Sequence, residues 1–167
     1  MYRRVDDFLA SWKSESESTL KIFSQLTDAS LAQRVSPDGR TLGVLAWHLT
    51  VSIPEMLNRT GLAVEGASSG HEPAPASAAE LVNAYRQAAQ SAAEQIRARW
   101  TDATLDEMRE MYGESWSIGF TLLALVAHQA HHRGQMTVLM RQAGLTVPGI
   151  YGPAREEWAA YGMPAEP

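Results

Sequence analysis

The chain has 167 residues, of which 45% are apolar and 20% charged, and its formal net charge is −5. This length and composition predict a single domain over residues 1–167 that is large enough to bury a hydrophobic core. The few basic residues form no stripe of the kind that binds nucleic acid, and the lack of cysteine excludes disulfides, thiolate metal ligands and a cysteine nucleophile.

Neither the N-terminus nor the longest apolar run points to a membrane. The first residues, Met1–Phe8, turn polar and acidic at once, without the apolar core of a signal peptide. The longest apolar run, Phe120–Ala127, is far shorter than a membrane span. We therefore expect a cytoplasmic protein that does not enter a membrane.

Apolar residues recur at helical spacing in four segments, which are predicted to be helices: Tyr2–Leu26, Thr41–Gly61, Ser77–Trp100 and Ser117–Ala143. Thr41 is a suitable N-cap for the second helix. Ser77 and Glu80 have the spacing of a capping box at the start of the third. Gly144 is expected to end the fourth helix.

The segments between these helices carry few regular patterns. Pro54 removes a backbone donor inside the second helix, so a kink or local irregularity is expected there. Gly66–Ser77 is rich in Gly, Ser, Pro and Ala and reads as a long surface connection, with His71 in solvent. Leu105–Trp116 is of unsettled type, and a short amphipathic helix is predicted over Pro153–Tyr161. With no convincing strand pattern, the sequence predicts an all-α fold: a four-helix bundle with a short C-terminal helix.

Three histidines are candidate metal ligands. His128 and His132 are four residues apart, which on a helix places their Cβ atoms about 5–6 Å from each other. When residues are placed every 100° with His128 at zero, His132 falls near 40°, inside the apolar arc, whereas His131 falls near −60°, outside it. His48 lies at the boundary of the apolar face of the second helix. Three neutral imidazoles from two helices would make an open metal site.

Histidine spacing alone does not separate such a site from a structural role, since buried histidines are often hydrogen-bonded core residues. Several established site types are excluded. A zinc metalloprotease needs a glutamate after its first histidine, where this chain has Gln129. A ferritin-like di-iron site needs Glu-x-x-His pairs, and the chain has none. It also has neither a nucleophile elbow nor a glycine-rich phosphate loop.

Residues around the histidines have candidate supporting roles. Ser52 and Gln129 are candidate hydrogen-bond partners for the ligand rings. Arg133 falls near 140° on the wheel and is expected to serve helix packing, with anchoring of an anion as the alternative. Gln135 flanks the ligands without an assigned role. Three aromatic residues are expected to pack in the core, with a place in a pocket wall as the alternative: Trp47, Tyr112 and Trp116.

Two motifs carry a resemblance to a known family. They are Leu45-Ala46-Trp47-His48-Leu49 in the second helix and His128-x-x-x-His132-Arg133-Gly134-Gln135 in the fourth. Together with Pro148 and the closing Ala160–Pro164, they make the chain similar to the DinB superfamily of bacterial metal-binding four-helix bundles, which includes the YfiT-like proteins. The resemblance covers nearly the whole chain in helix order and length.

The resemblance implies an up-down-down-up bundle whose crossing connection is Gly66–Ser77. It implies a divalent metal held by His48, His128 and His132 with open positions for other ligands, and a homodimer. Three imidazoles suit zinc, nickel or iron. The lack of a carboxylate ligand disfavours iron oxygenase chemistry.

Some members of the superfamily join a low-molecular-weight thiol to an electrophile or isomerise a thiol adduct, and this chain has no thiol of its own. The leading hypothesis is therefore a metal-dependent transferase in which the metal lowers the pKa of a bound thiol that attacks a small-molecule substrate. If the metal activates water instead, the protein is a hydrolase. Two further alternatives are a non-catalytic, stress-associated metal-binding protein and a bundle whose histidines are only structural.

Overall fold

The computed structural model describes residues 1–67 and 73–165. Four long helices dominate these residues, and each lies within its predicted segment and is slightly shorter at both ends. They are α1 (Val5–Phe23), α2 (Leu42–Asn58), α3 (Ala78–Arg99) and α4 (Ile118–Gln142). Helix α2 continues past Pro54 to Asn58, so the irregularity expected at that proline does not end the helix.

The helices form the predicted up-down-down-up four-helix bundle. Helix α1 packs against α3 and α4, and α2 packs against the same two helices, so α1 and α2 occupy opposite corners. The connection predicted over 66–77 links α2 to α3, but residues 68–72, including His71, lie outside the described part of the chain. This arrangement makes α2 and α4 neighbours, and these helices carry the three candidate ligands.

Large side chains from all four helices fill the bundle. Phe8 and Trp12 of α1 stack with ring centroids 5.9 Å apart, and the Trp12 indole donates a hydrogen bond to the Ala89 carbonyl of α3. Leu49 of α2 and Leu125 of α4 are fully buried. Each such side chain contributes roughly 1.5–3 kcal/mol by leaving water. Of the helices in the described residues, none combines the length and apolar character that a membrane crossing requires.

The helix ends confirm the N-cap predicted at Thr41 and correct the capping box predicted at Ser77. The Thr41 and Ser117 hydroxyls accept hydrogen bonds from backbone amides in the first turns of α2 and α4, as N-caps do. The capping box predicted at Ser77 is wrong, because the Ser77 side chain makes no capping hydrogen bond. The Asp28 carboxylate accepts from the Ala78 amide instead, at 2.8 Å. A non-local acceptor thus replaces the local one.

A β-hairpin occupies the segment that the sequence left unsettled, which corrects the expectation that no strands form. Strands β1 (Met108–Met111) and β2 (Glu114–Ser117) pair antiparallel. The two loop residues, Tyr112 and Gly113, both have positive φ, at 58° and 86°, as a two-residue hairpin turn requires. A tyrosine in this conformation is strained by on the order of 1 kcal/mol.

The C-terminal segment is fixed to α1 and α4 by one buried arginine. Arg133 of α4 donates to the Glu15 carbonyl and the Thr19 hydroxyl, both at 2.9 Å, and to the Glu15 carboxylate and the Tyr151 hydroxyl. The Arg133 side chain is only 3% exposed. This confirms the packing role expected for Arg133. The predicted C-terminal helix is reduced to a 3-10 turn at Trp158–Tyr161.

We expect Arg133→Ala to lower the free energy of unfolding by about 3 kcal/mol, because it leaves the largely buried Glu15 carboxylate without its cation. Urea denaturation measures the change. Arg141→Ala is the matched control, since the Arg141–Glu156 pair is exposed at both ends and should change stability far less. Equal losses in the two variants would contradict the assignment of Arg133 as the anchor.

Candidate metal centre

The structure brings together the three histidines that the sequence singled out. His48 projects from the middle of α2, and His128 and His132 project from successive turns of α4. Their ring centroids lie 4.8 Å apart for His48–His128, 4.6 Å for His48–His132 and 4.5 Å for His128–His132. One ligand atom from each residue falls within 4.8 Å of the others. His131 is exposed, as the helical wheel predicted.

The facing nitrogens have the spacing of ligands to one ion. The Nε2 atoms of His48 and His128 are 3.0 Å apart. Two nitrogens at about 2.0–2.1 Å from a common zinc ion lie about 2.9–3.4 Å apart, depending on the angle between them. A hydrogen bond between the two rings would also account for this distance, but it would not account for the third ring. The triangle of three rings is therefore compatible with a divalent cation.

The bundle keeps these rings in the neutral form that a metal ligand needs. Burial lowers the pKa of His128 to about 4, and the neighbouring imidazoles and Arg40 contribute to this shift. Burial is also the main reason for the lowered pKa values of His48 and His132, to which Arg40 adds a repulsive positive charge. At neutral pH the three rings thus offer nitrogen lone pairs and not positive charges.

Gln135 fixes the orientation of one candidate ligand. Its Oε1 lies 2.7 Å from Nδ1 of His132, and its Nε2 lies 3.2 Å from Nε2 of His131. This network places a proton on Nδ1 of His132, which leaves Nε2 of that ring free to bind a cation. The i,i+3 spacing of His132 and Gln135 is a signal from which sequence reasoning could have found this contact.

Ser52 and Gln129, the hydrogen-bond partners proposed from the sequence for the ligand rings, bind other groups. Gln129 is fully buried, and its amide nitrogen donates to the Leu49 carbonyl at 2.9 Å and to the Ser52 hydroxyl at 3.3 Å. Its Oε1 accepts from the Tyr85 hydroxyl at 3.1 Å. The hydrogen bonds of Gln129 therefore join α4 to α2 and α3. Within the described residues, Nδ1 of His128 is buried without a hydrogen-bond partner.

One cavity adjoins the histidine cluster, and a second is lined by Gln135, the hydrogen-bond partner of His132. The first, of about 380 Å³, is lined by His48 and His128 together with Glu55, Tyr112 and Trp116, among others. Tyr112 and Trp116 thus take the alternative role of pocket wall, whereas Trp47 packs against the core as expected, and Trp116 contacts the core as well.

The second cavity, of about 320 Å³, is lined by Arg40 and Gln135 among others. Sequence reasoning missed Arg40, which lies just before α2 in the chain but far from the motif in α4. Its charge acts on all three rings.

The chain is similar to known proteins along nearly its whole length. The family model described as the DinB family matches residues 1–166. The Bacillus subtilis protein YrdA is 44% identical over 165 residues, which cover 99% of this chain and 98% of that protein.

Two solved structures extend the similarity to three dimensions. A DinB-like protein from Bacillus cereus superposes with a TM-score of 0.87 and 45% identity, covering 90% of this chain and all of the other. The DinB-like protein YjoA from Bacillus subtilis superposes with a TM-score of 0.68 over 89% of this chain and 99% of its own. At 17% identity, YjoA is a relative in fold alone.

We expect the metal-free protein to lose stability as the pH falls from 6.5 towards 4, partly through His128. The pKa of this ring is about 4 in the folded chain, against the ordinary histidine value of 6.5 that applies once the chain unfolds. The unfolded state therefore takes up the proton first, and the stabilising contribution that is complete above pH 6.5 is lost through this window. Thermal unfolding with a chelator, compared between the wild type and His128→Gln, measures it. Parallel pH profiles would contradict the prediction.

We expect Gln129→Met to lower the free energy of unfolding by about 1–3 kcal/mol, because a side chain of similar length fills the space but removes the buried hydrogen bonds to Leu49, Ser52 and Tyr85. Gln90→Met on the exposed face of α3 is the matched control, since an exposed substitution changes stability by within about 0.5 kcal/mol. Urea denaturation of both variants tests the difference, and an unchanged Gln129→Met variant would refute the structural role of this amide.

Proposed function

Because the chain belongs to the DinB family, we propose that it binds one divalent metal ion through His48, His128 and His132 and transfers a low-molecular-weight thiol to a small electrophile. The observation that carries the proposal is the convergence of three neutral imidazoles from two helices on one point. Zinc, nickel and iron all suit this donor set.

Three protein ligands leave positions on the ion free, which is the arrangement of a catalytic site rather than a structural one. A bound cation would lower the pKa of a thiol or water in those positions. All three protein donors are uncharged, so they leave the cation its full positive charge. The chain's own part is to keep the rings neutral by burial and to orient His132 through Gln135.

The cavity beside Arg40 favours a thiol that carries an anionic group. Arg40 lies at the edge of a pocket that also contains Gln135, the partner of His132. A carboxylate on the thiol molecule would pair with the guanidinium while its sulfur reaches the histidine cluster. Since the chain contains no cysteine, the sulfur must arrive with this molecule.

The reaction is a displacement at carbon. A sulfur–carbon bond forms, the bond from carbon to the leaving group breaks, and the thiol proton departs with the leaving group. No oxidant or reductant is needed. In a hydrolysis, water would take the place of the thiol.

Metal analysis of protein purified without a histidine tag tests the binding step. We expect about one divalent ion per chain, with His48→Ala, His128→Ala and His132→Ala each reducing it severely. His131→Ala is the matched control, because it removes the same ring from the exposed side of the same helix and should keep the ion. No metal after incubation with zinc, nickel or iron would overturn the proposal.

The turnover step is tested with glutathione, L-cysteine and coenzyme A, each with 1-chloro-2,4-dinitrobenzene. We expect thioether formation that falls at least about 100-fold in His48→Ala. Turnover that is unchanged in His48→Ala would contradict a role for the metal in the reaction. Hydrolysis without thiol would favour the hydrolase, and metal binding without turnover would favour a non-catalytic protein. The homodimer and the cytoplasmic location stay predictions.

A further inference from the structure

We propose that the cavity beside His48 and His128 is the subsite for the electrophile, and that it takes a neutral, ring-shaped apolar group in preference to an anion. Its role as an electrophile subsite rests on the proposed function, whereas its preference for a neutral ring does not. At about 380 Å³, the cavity has the size of a small-molecule pocket.

The cavity is lined on one side by two candidate ligands and on another by aromatic rings of the hairpin. Tyr112 and Trp116 supply these rings, whose centroids are 5.8 Å apart. Met56 of α2 and Ala124 of α4 complete the apolar wall. A flat group that stacks on the hairpin would therefore present one edge to the histidine cluster.

The hairpin turn is built to hold Tyr112 at this place. Among the described residues, Tyr112 alone adopts a positive φ without being glycine. Asparagine and glycine are the residues that this kind of turn favours, so turn chemistry does not explain a tyrosine. Strain of this kind is concentrated at functional sites. In this strained position the Tyr112 side chain extends to α2.

Contacts with α2 fix that ring in advance of any ligand. The Tyr112 hydroxyl donates to a Glu55 carboxylate oxygen at 2.5 Å, and the other Glu55 oxygen accepts from Arg59 at 2.8 Å. The Arg59 guanidinium lies over the Tyr112 ring, 4.7 Å from its centroid. Burial and the bond to Glu55 raise the pKa of Tyr112, so its hydroxyl stays a donor. A pre-ordered wall lowers the entropic cost of binding.

The chain's own acidic side chains around the cavity disfavour an anion. Glu55 lies in its lining, and the carboxylate of Glu114 accepts from the Trp116 indole at 2.7 Å. Glu110 also lies at the hairpin turn, where it accepts from the Gly113 amide. Arg59 offsets part of this negative charge. Arg40, the cation proposed to bind an anionic co-substrate, lines the second cavity and not this one.

Two ring compounds of similar size test the preference: neutral 4-nitrotoluene and anionic 4-nitrobenzoate, each titrated into ¹⁵N-labelled full-length protein. We expect 4-nitrotoluene to shift the Trp116 indole and Gly113 amide signals, and 4-nitrobenzoate to bind at least about tenfold more weakly. The Trp116 signal is assigned by its loss in Trp116→Phe. Glu55→Gln should reduce the difference in affinity between the two compounds, because it removes a negative charge from the cavity lining.

Variants of Tyr112 distinguish an effect on ligand binding from an effect on the stability of the fold. Tyr112→Asn gives the turn a residue suited to positive φ, so it should keep or raise the melting temperature and yet weaken 4-nitrotoluene binding about tenfold. Tyr112→Phe keeps the ring and should retain most of the affinity. Unchanged binding in Tyr112→Asn, shifts confined to signals away from the hairpin, or equal affinity for both compounds would overturn the subsite.

This binding experiment needs neither metal nor turnover. Binding of 4-nitrotoluene at the hairpin without any thiol transfer would contradict the proposed reaction but support a pocket for neutral rings. Thiol transfer with no effect of 4-nitrotoluene on the hairpin signals would sink the subsite and leave the reaction standing.

Discussion

The buried amide of Gln129 is the constraint on which the site depends. A fully buried amide must find both donors and acceptors, and Gln129 finds them on two other helices, at the Leu49 carbonyl and the Tyr85 hydroxyl. Leu49 follows His48 in the chain, and Gln129 follows His128. The hydrogen bond that satisfies the amide therefore also sets the level at which the two histidines meet. A shift of α4 along α2 would cost this bond and separate the rings.

The same burial that requires the Gln129 amide to be hydrogen-bonded also keeps the histidine rings neutral. Desolvation penalises the imidazolium form of His128, and the nearby imidazoles lower its pKa further, so the cluster remains neutral. Neutral rings so close together do not repel one another as charged ones would. Arg40 adds to this bias from the rim, and the same charge would attract an anionic ligand towards the rings. Packing and electrostatics thus favour one state of the site before any cation enters.

Periodicity predicted what lies along a helix, and it failed where partners come from elsewhere in the chain. The helical wheel placed His132 inside and His131 outside, because a single helix decides that question. The capping box at Ser77 failed because an Asp28 carboxylate, some 50 residues earlier, satisfies the first turn of α3. The sequence did not predict the hairpin, because its strands are only four residues long and its turn begins with Tyr112 rather than asparagine. Turn propensity does not account for a tyrosine at this position.

The motif of α4 divides its residues between two tasks within about two turns of helix. His128 and His132 face α2, and Gln135 orients the second of them from the solvent side. Arg133 faces the other way and binds the Glu15 carboxylate of α1 together with the Tyr151 hydroxyl of the C-terminal segment. The segment that positions the rings is therefore also the segment that binds α1 and Tyr151 of the C-terminal segment. A change at Arg133 would reach the site only by loosening α4, which distinguishes an anchoring residue from one that touches a ligand.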